Sequence, residues 1–250
     1  VADVMRANVI GVNTHDDQEQ VAQLFSKYDM LAMPVVDNEE RLVGIITIDD
    51  VIDVLQEETT EDMEKMAAIT PSDKPYLRTS TLEIWKSRIP WLLLLMVSAT
   101  FTSMILMRFE VALSTGLIAF IPMLMDTGGN SGSQSSVTII RGLSLGDIEF
   151  TDLFRVLWKE VRVAVLCGVT LALCNFLKLL FFDRVGMHVA AVVSLTLICT
   201  VFFAKIVGGV LPMLAKKLGF DPAVMASPFI TTIVDAMSLL IYVRVSMLIA

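Results

Sequence analysis

At 250 residues with 55% hydrophobic side chains and a mean hydropathy of +0.70, the chain is too apolar for an ordinary soluble domain and falls in the membrane class. Its net charge of −8 is unevenly placed: residues 1–90 carry 18 acids and 8 bases, whereas residues 91–250 carry 9 and 11. An acidic front ahead of an apolar back argues against nucleic acid as a partner and points to cations and membrane lipid.

In chain order, Val9-Ile10-Gly11-Val12 predicts a short strand, and Asp16 opens a helix with Val21, Leu24, Phe25 and Tyr28 at helical spacing. Two strands follow, Met33–Val36 and Leu42–Ile46, around the polar turn Asp37-Asn38-Glu39-Glu40. Asp49 or Asp50 then opens a second amphipathic helix through Val51, Ile52 and Leu55. This order and the wording MPVVDNEERLVGIITIDDVIDVL resemble a CBS domain over residues 1–57. In that family Gly-x-x-Thr-x-x-Asp often holds the ribose and phosphate of an adenine nucleotide such as ATP, and Gly44, Thr47 and Asp50 match it. The alternative is that Thr47 and Asp50 only cap the helix. CBS units normally work in pairs, so this copy implies an upstream partner or pairing across a dimer.

Residues 58–88 read as a connector, with Pro71 and Pro75 before a short helix expected over 79–87. Glu57, Glu58, Glu61, Asp62 and Glu64 crowd its start. Glu57/Glu61 and Glu58/Asp62 are four apart and repel on a helix, so a divalent cation would stabilise the ordered form. The competing reading is a solvated charged face.

From Trp91 onward the chain offers five apolar runs, about 89–108, 111–138, 161–182, 187–214 and 223–250, each near the ~20 residues a membrane crossing needs. Pro122, and Gly208-Gly209 with Pro212, predict kinks in the second and fourth. Basic residues gather before the first run (Lys74, Arg78, Lys86, Arg88), between the second and third (Arg141, Arg155, Lys159, Arg162) and after the fourth (Lys216, Lys217). That alternation predicts an odd number of spans with a cytosolic N-terminal part and an external C-terminus, and the protein is expected to be a multi-pass protein of the inner (plasma) membrane. No secretory leader is recognised in the N-terminal residues. Cys167, Cys174 and Cys199 lie in apolar runs without metal or redox spacing and read as packing thiols.

Asp235 sits mid-way along the last run, where an ionised carboxylate costs about 2.5–3.5 kcal/mol on insertion scales. Ser227, Thr231, Asp235, Ser238 and Tyr242 form one polar stripe that must face water or protein. Arg244 or Lys205 could pair with Asp235; alternatively, two Asp235 side chains could share a cation across a symmetry axis. The second polar feature is PMLMDTGGNSGSQSS, residues 122–136. Its glycines have small-xxx-small spacing for close helix packing, while Asn130 and Gln134 project amides elsewhere and Asp126 adds a carboxylate.

These stretches, IPMLMDTGGNSGSQSS and DPAVMASPFITTIVDAMSLLIYV, together with the CBS unit and the connector PYLRTSTLEIWKSRIPWLLLL, resemble the bacterial MgtE-type magnesium channels over essentially the whole chain. The resemblance implies an α-helical integral membrane domain of five transmembrane helices, residues 89–250, preceded by a small α/β CBS domain. It also implies a homodimer whose second and fifth helices line a pore on the dimer axis. Asp235 falls on the central cation site and Thr231 on a position one turn earlier, with Asn130 and Asp126 nearby. Mg2+ is then both cargo and regulator, the latter through the CBS unit, the connecting helix and acids such as Glu57, Glu58, Glu61 and Asp62. The sequence departs from the family pattern at Ser227, where an asparagine is expected, and at Asp126, where a small residue is expected. The family also usually carries a helical N-terminal domain and two CBS units. The resulting expectation is passive, Mg2+-gated influx. The rivals are a proton- or sodium-coupled divalent-cation transporter and a nucleotide-binding membrane receptor without flux. No Walker A pattern is present in the membrane part, and no enzyme activity is expected.

Overall fold

The structure, a computed structural model, describes residues 9–72, 74–109 and 115–249. The chain divides into two compact units, residues 1–63 and 64–250.

The first unit is a three-stranded sheet in the order β1-β2-β3, with β1 (Val12–Asn13) parallel to β2 (Ala32–Val36) and β2 antiparallel to β3 (Leu42–Thr47). The first strand is shorter than its apolar run predicts. Val12 pairs with Val35, and the next residue back on β2, Pro34, has no N–H to extend the ladder. Helix α1 (Gln18–Tyr28) is capped by Asp17, which accepts from the amides of Glu19 and Gln20. The expected cap, Asp16, accepts from the Asn13 amide instead. Val21, Ala22 and Phe25 of α1 close a core with Val12, Met33 and Val51.

The β2–β3 turn is built on Asp37, which accepts from the backbone amides of Glu39 and Arg41 at 2.9 Å each and from the Arg41 side chain at 2.9 Å. These bonds, led by the Arg41 amide, hold the Asp37 carboxyl below its ordinary pKa. A depressed carboxylate stabilises the fold above its unfolded pKa and ceases to as pH falls through the folded value. Asp37→Ala is therefore expected to speed amide exchange at Glu39 and Arg41 at neutral pH. In the unsubstituted protein the same amides should lose protection only below the usual carboxylate range.

Helix α2 (Ile48–Met66) does not stop where the connector was expected to begin. It runs on through the acidic segment, where Thr59 and Thr60 donate to the carbonyls of Leu55 and Gln56. The spacing of Glu61 to Lys65 places a favourable i,i+4 pair against the like-charge repulsion.

The second unit is helical. Among the described residues four helices are long and apolar enough to cross a membrane: α3 (Thr81–Phe109), α6 (Leu153–Phe181, after a 3-10 turn at Phe150–Asp152), α7 (Met187–Lys217) and α8 (Ser227–Ile249, after a 3-10 turn at Pro222–Met225). Between α3 and α6 come α4 (Thr115–Ile118) and α5 (Ile121–Ser144). The 24 residues of α5 would reach about 36 Å at the usual rise, yet its polar composition sets it apart from the other four.

The connecting helix and first span, expected as separate elements, form the single helix α3, which continues through Pro90. Its first turn is fixed by reciprocal bonds, Ser80 amide to Glu83 carboxylate at 3.0 Å and Glu83 amide to Ser80 Oγ at 3.3 Å. Pro122, expected to kink the second span, lies in the first turn of α5, where its missing N–H costs nothing. The Gly-Gly-Pro segment of α7 also leaves one continuous helix.

Helix α7 is the hub of this unit and packs on α5, α6 and α8; α3 packs chiefly on α8, with Trp91 and Phe229 edge to face at 6.1 Å. At one end of the bundle Lys216 donates to the Leu143 carbonyl at 2.8 Å, satisfying the C-terminal turn of α5. Lys217 lies 4.0 Å over the Phe150 ring.

Candidate cation site in the membrane domain

The site is shaped by how closely α5 approaches its neighbours. Gly128, Gly129 and Gly132 are buried. A Cβ at Gly128 would lie 2.6 Å from Thr200 Cγ2, and one at Gly132 would lie 2.7 Å from Ile230 Cγ2 and 3.1 Å from the Ala204 carbonyl oxygen. A Cβ at Gly208 of α7 would collide with the Gly132 carbonyl oxygen. The expected packing role of the α5 glycines is thus seen at Gly128 and Gly132, and Gly208, expected to mark a kink, packs closely instead.

With its glycine face turned inward, α5 leaves a second face uncovered by the described residues. Pro122, Asp126, Asn130, Gln134, Thr138 and Arg141 are exposed, at the three- and four-residue spacing of one helix face. Asp126, Thr127, Asn130, Ser131 and Gln134 line a cavity of about 540 Å³ with Leu166, Cys167, Thr170 and Leu171 of α6 and Lys205 of α7.

Asp235 is half-buried on α8. It lines a separate cavity of about 220 Å³ with Thr232 and Leu239 of α8, Met125 of α5, and Ala99, Thr102, Ser103 and Leu106 of α3. Neither Arg244 nor Lys205 forms an ion pair with it; Lys205 donates to Ser135 Oγ at 3.3 Å. Thr231 donates its hydroxyl to the Pro228 carbonyl at 2.9 Å, and its methyl faces the open side of Gly129, 3.0 Å from where a Cβ would stand. Asp126 and Asn130 therefore share one cavity, Asp235 lines another, and Thr231 abuts the α5 residue next to Asn130.

The expected polar stripe of α8 divides. Ser238 donates to the Val234 carbonyl at 2.6 Å, and Tyr242 donates across to the Leu117 carbonyl of α4 at 2.8 Å; both are buried. They face protein, whereas Thr231 and Asp235 remain partly open. The Ser227 side chain lies outside the described residues. Sequence reasoning missed the chain from buried Lys205 and Ser135 to partly buried Glu160, in which Ser135 Oγ donates to Glu160 at 2.6 Å. The signal available was a lone lysine inside an apolar run.

Several buried hydroxyls between these helices have no hydrogen-bond partner among the described residues, including Ser136 Oγ and Thr200 Oγ1. Removing an unsatisfied buried hydroxyl relieves its desolvation. Ser136→Ala is expected to leave the thermal midpoint of the purified protein unchanged or raise it by a few degrees.

In the first unit Thr47 donates to Asp50 Oδ2 from its amide at 3.2 Å and from its hydroxyl at 2.7 Å, the capping arrangement. Gly44 has open space beside it. A cavity of about 340 Å³ in this unit is lined by Asn13, Thr14, Asp16 and Gln18 with apolar residues of the core, and by none of Gly44, Thr47 or Asp50. Glu57, Glu58, Glu61 and Asp62 all lie along α2, where Glu58 accepts from Gln18 at 2.7 Å. Among the described residues no three carboxylate, imidazole or thiol groups converge on a point that could hold a metal.

Residues 1–57 match the CBS domain family. Magnesium transporter MgtE of Thermus thermophilus is 42% identical over 250 residues, 99% of this chain and 55% of the relative. The proteins of the same name from Enterococcus faecalis and Bacillus subtilis are 34% and 36% identical, over 98% and 97% of this chain and 54% and 53% of theirs. The chain thus spans about half the length of these curated relatives. Residues 121–245, from the first turn of α5 to the last turns of α8, match the MgtE family, described as a divalent cation transporter, and with a CBS domain ahead of its apolar helices the chain is a multi-pass membrane protein that belongs to that family.

Proposed function

We propose that the chain forms the pore and part of the sensor of a homodimeric, magnesium-selective channel that passes Mg2+ inward passively and closes when cytosolic Mg2+ rises. The observation that carries this reading is the exposed face of α5. Asp126, Asn130, Gln134, Thr138 and Arg141 cannot face hydrocarbon at tolerable cost, since a central charge alone costs about 2.5–3.5 kcal/mol. A second copy of the chain enclosing a water-filled path would satisfy all of them.

Mg2+ sheds its water reluctantly and prefers octahedral oxygen coordination. A path of amides, hydroxyls and spaced carboxylates suits a hydrated ion, held through its water shell by Asp235 of each subunit with Thr231 and Asn130 donating and accepting hydrogen bonds. Relatives named as magnesium transporters support the choice of ion. The basic clusters at Lys216 and Lys217 and in the first turns of α6, at Arg155, Lys159 and Arg162, support a cytosolic position for the CBS unit. Leu42, Val43 and Ile45 of the edge strand β3 are exposed, which supports pairing with another CBS unit. Regulation would act through the acids of α2: Mg2+ is expected to protect the 57–80 region from proteolysis, and equal cleavage with and without the ion contradicts this.

The path is tested by cysteine accessibility in liposomes, on a background with Cys167, Cys174 and Cys199 replaced. Asn130→Cys and Gln134→Cys should react with a water-soluble, membrane-impermeant cationic thiol reagent, and reaction should stop Mg2+ uptake. Leu173→Cys, on an exposed apolar face of α6, should not respond. Unreactive Asn130→Cys and Gln134→Cys would contradict a hydrated path along α5.

A further inference from the structure

Lys205 is a charged side chain only 4% exposed, in the middle of a membrane helix. No carboxylate lies within ion-pair distance of it among the described residues. Its ammonium instead donates to Ser135 Oγ at 3.3 Å, and Ser135 donates in turn to Glu160 at 2.6 Å. One hydroxyl thus joins a cation on α7 to an anion on α6, through α5.

The backbone is shaped for this arrangement. One turn beyond Lys205, Gly208 lets α5 in: a Cβ there would stand 3.2 Å from Ser135 Cβ, besides colliding with the Gly132 carbonyl. Gly209 lets α6 in, with Glu160 Cγ 3.2 Å from where a Cβ would stand. The two sides of the chain are not equivalent. Lys205 lines the cavity that holds Asp126, Asn130 and Gln134, and Glu160 does not. The cavity therefore borders the lysine but not its counter-charge.

We propose that Lys205 is a fixed positive charge in the wall of the ion path that weakens Mg2+ binding and so speeds its release, with Ser135 and Glu160 as the residues that position and partly neutralise it. This rests on passage of Mg2+ along α5. A path built from carboxylates risks holding a divalent ion too long, because conduction requires sites favourable enough to enter and weak enough to leave. A tethered unit charge repels a divalent ion twice as strongly as a monovalent one at the same distance, so it acts on the tightest-bound cargo most.

The test measures initial Mg2+ uptake into liposomes against external Mg2+ for the unsubstituted protein, Lys205→Met, Lys205→Arg and Glu160→Gln, each checked for monodisperse elution. Lys205→Met should lower the half-saturating Mg2+ concentration by about threefold to tenfold and lower the maximal rate with it. Glu160→Gln, which leaves the ammonium less compensated, should raise the half-saturating concentration, and Lys205→Arg should stay close to the unsubstituted protein. A merely structural role predicts loss of rate in both neutralising variants with no opposed shift in half-saturation. An unchanged or raised half-saturation in Lys205→Met, or a lowered or unchanged one in Glu160→Gln, overturns the proposal; if Lys205→Met does not fold, Glu160→Gln decides alone. Absence of uptake by the unsubstituted protein would instead remove the reading of the chain as a channel, and this inference with it.

Discussion

Replacing Gly208 by alanine is expected to disrupt the membrane domain, although alanine is the better helix former by about 1 kcal/mol. The Cβ added at Gly208 would collide with the Gly132 carbonyl oxygen, a backbone atom that cannot rotate away, and would press on Ser135. Relieving the overlap means parting α5 from α7 along their contact. Overpacking of this kind costs about 1–3 kcal/mol where side chains can yield, and a carbonyl yields less. Gly168→Ala is the internal control: its Cβ would meet Ile198 at 3.4–3.5 Å, ordinary contact, so it should be neutral. Thermal unfolding of the purified proteins in detergent, followed by loss of monodisperse elution, separates the two. A Gly208→Ala protein as stable as Gly168→Ala would contradict the helix packing described above.

The second large effect is expected at Asp235, and there function and stability should move in opposite directions. Asn keeps the shape and some hydrogen bonding but removes the charge. If each carboxylate contributes about 1.5–3 kcal/mol to holding the water shell of Mg2+, losing it from both subunits should cut Mg2+ uptake by at least about a hundredfold. Asp235 has no ion-pair partner among the described residues, so neutralising it removes a charge that the membrane disfavours. The thermal midpoint of Asp235→Asn should therefore hold or rise while uptake falls. Loss of both together would mark Asp235 as a structural residue; preserved uptake would remove it from the path.

Much of this architecture was legible from residue patterns. The alternation of apolar and polar stretches in residues 9–55 anticipated three strands and two helices, and the small-residue spacing of Gly128, Gly132 and Ser136 anticipated close helix packing, seen against α7 and α8. Helix ends were less legible, because they depend on which of two adjacent side chains captures an amide. Asp17 rather than Asp16 caps α1, and Pro122, expected to kink a span, instead lies in the first turn of α5. The acidic run at residues 57–64 suggested an end to α2, but the helix carries it through.

At the site, Asp235 was identifiable from its cost in an apolar run. That Asp235 and Asn130 line different cavities of one chain was not, since helix periodicity gives a face but not the neighbour it meets. The same limit hid the Lys205–Ser135–Glu160 chain, whose members lie 25 and 70 residues apart in sequence. It also explains the split of the α8 stripe: Ser238 and Tyr242 share the spacing of Thr231 and Asp235, yet hydrogen bonds to Val234 and Leu117 turn them to protein.

The most direct test of a passive Mg2+ path is current across a planar bilayer holding the purified protein, with Mg2+ as the sole permeant cation and no proton or sodium gradient. Discrete unitary openings are predicted, becoming rarer as Mg2+ rises on the side of the CBS unit. A silent bilayer, with Mg2+ uptake in liposomes appearing only when a proton or sodium gradient is imposed, would contradict the channel and point to coupled transport.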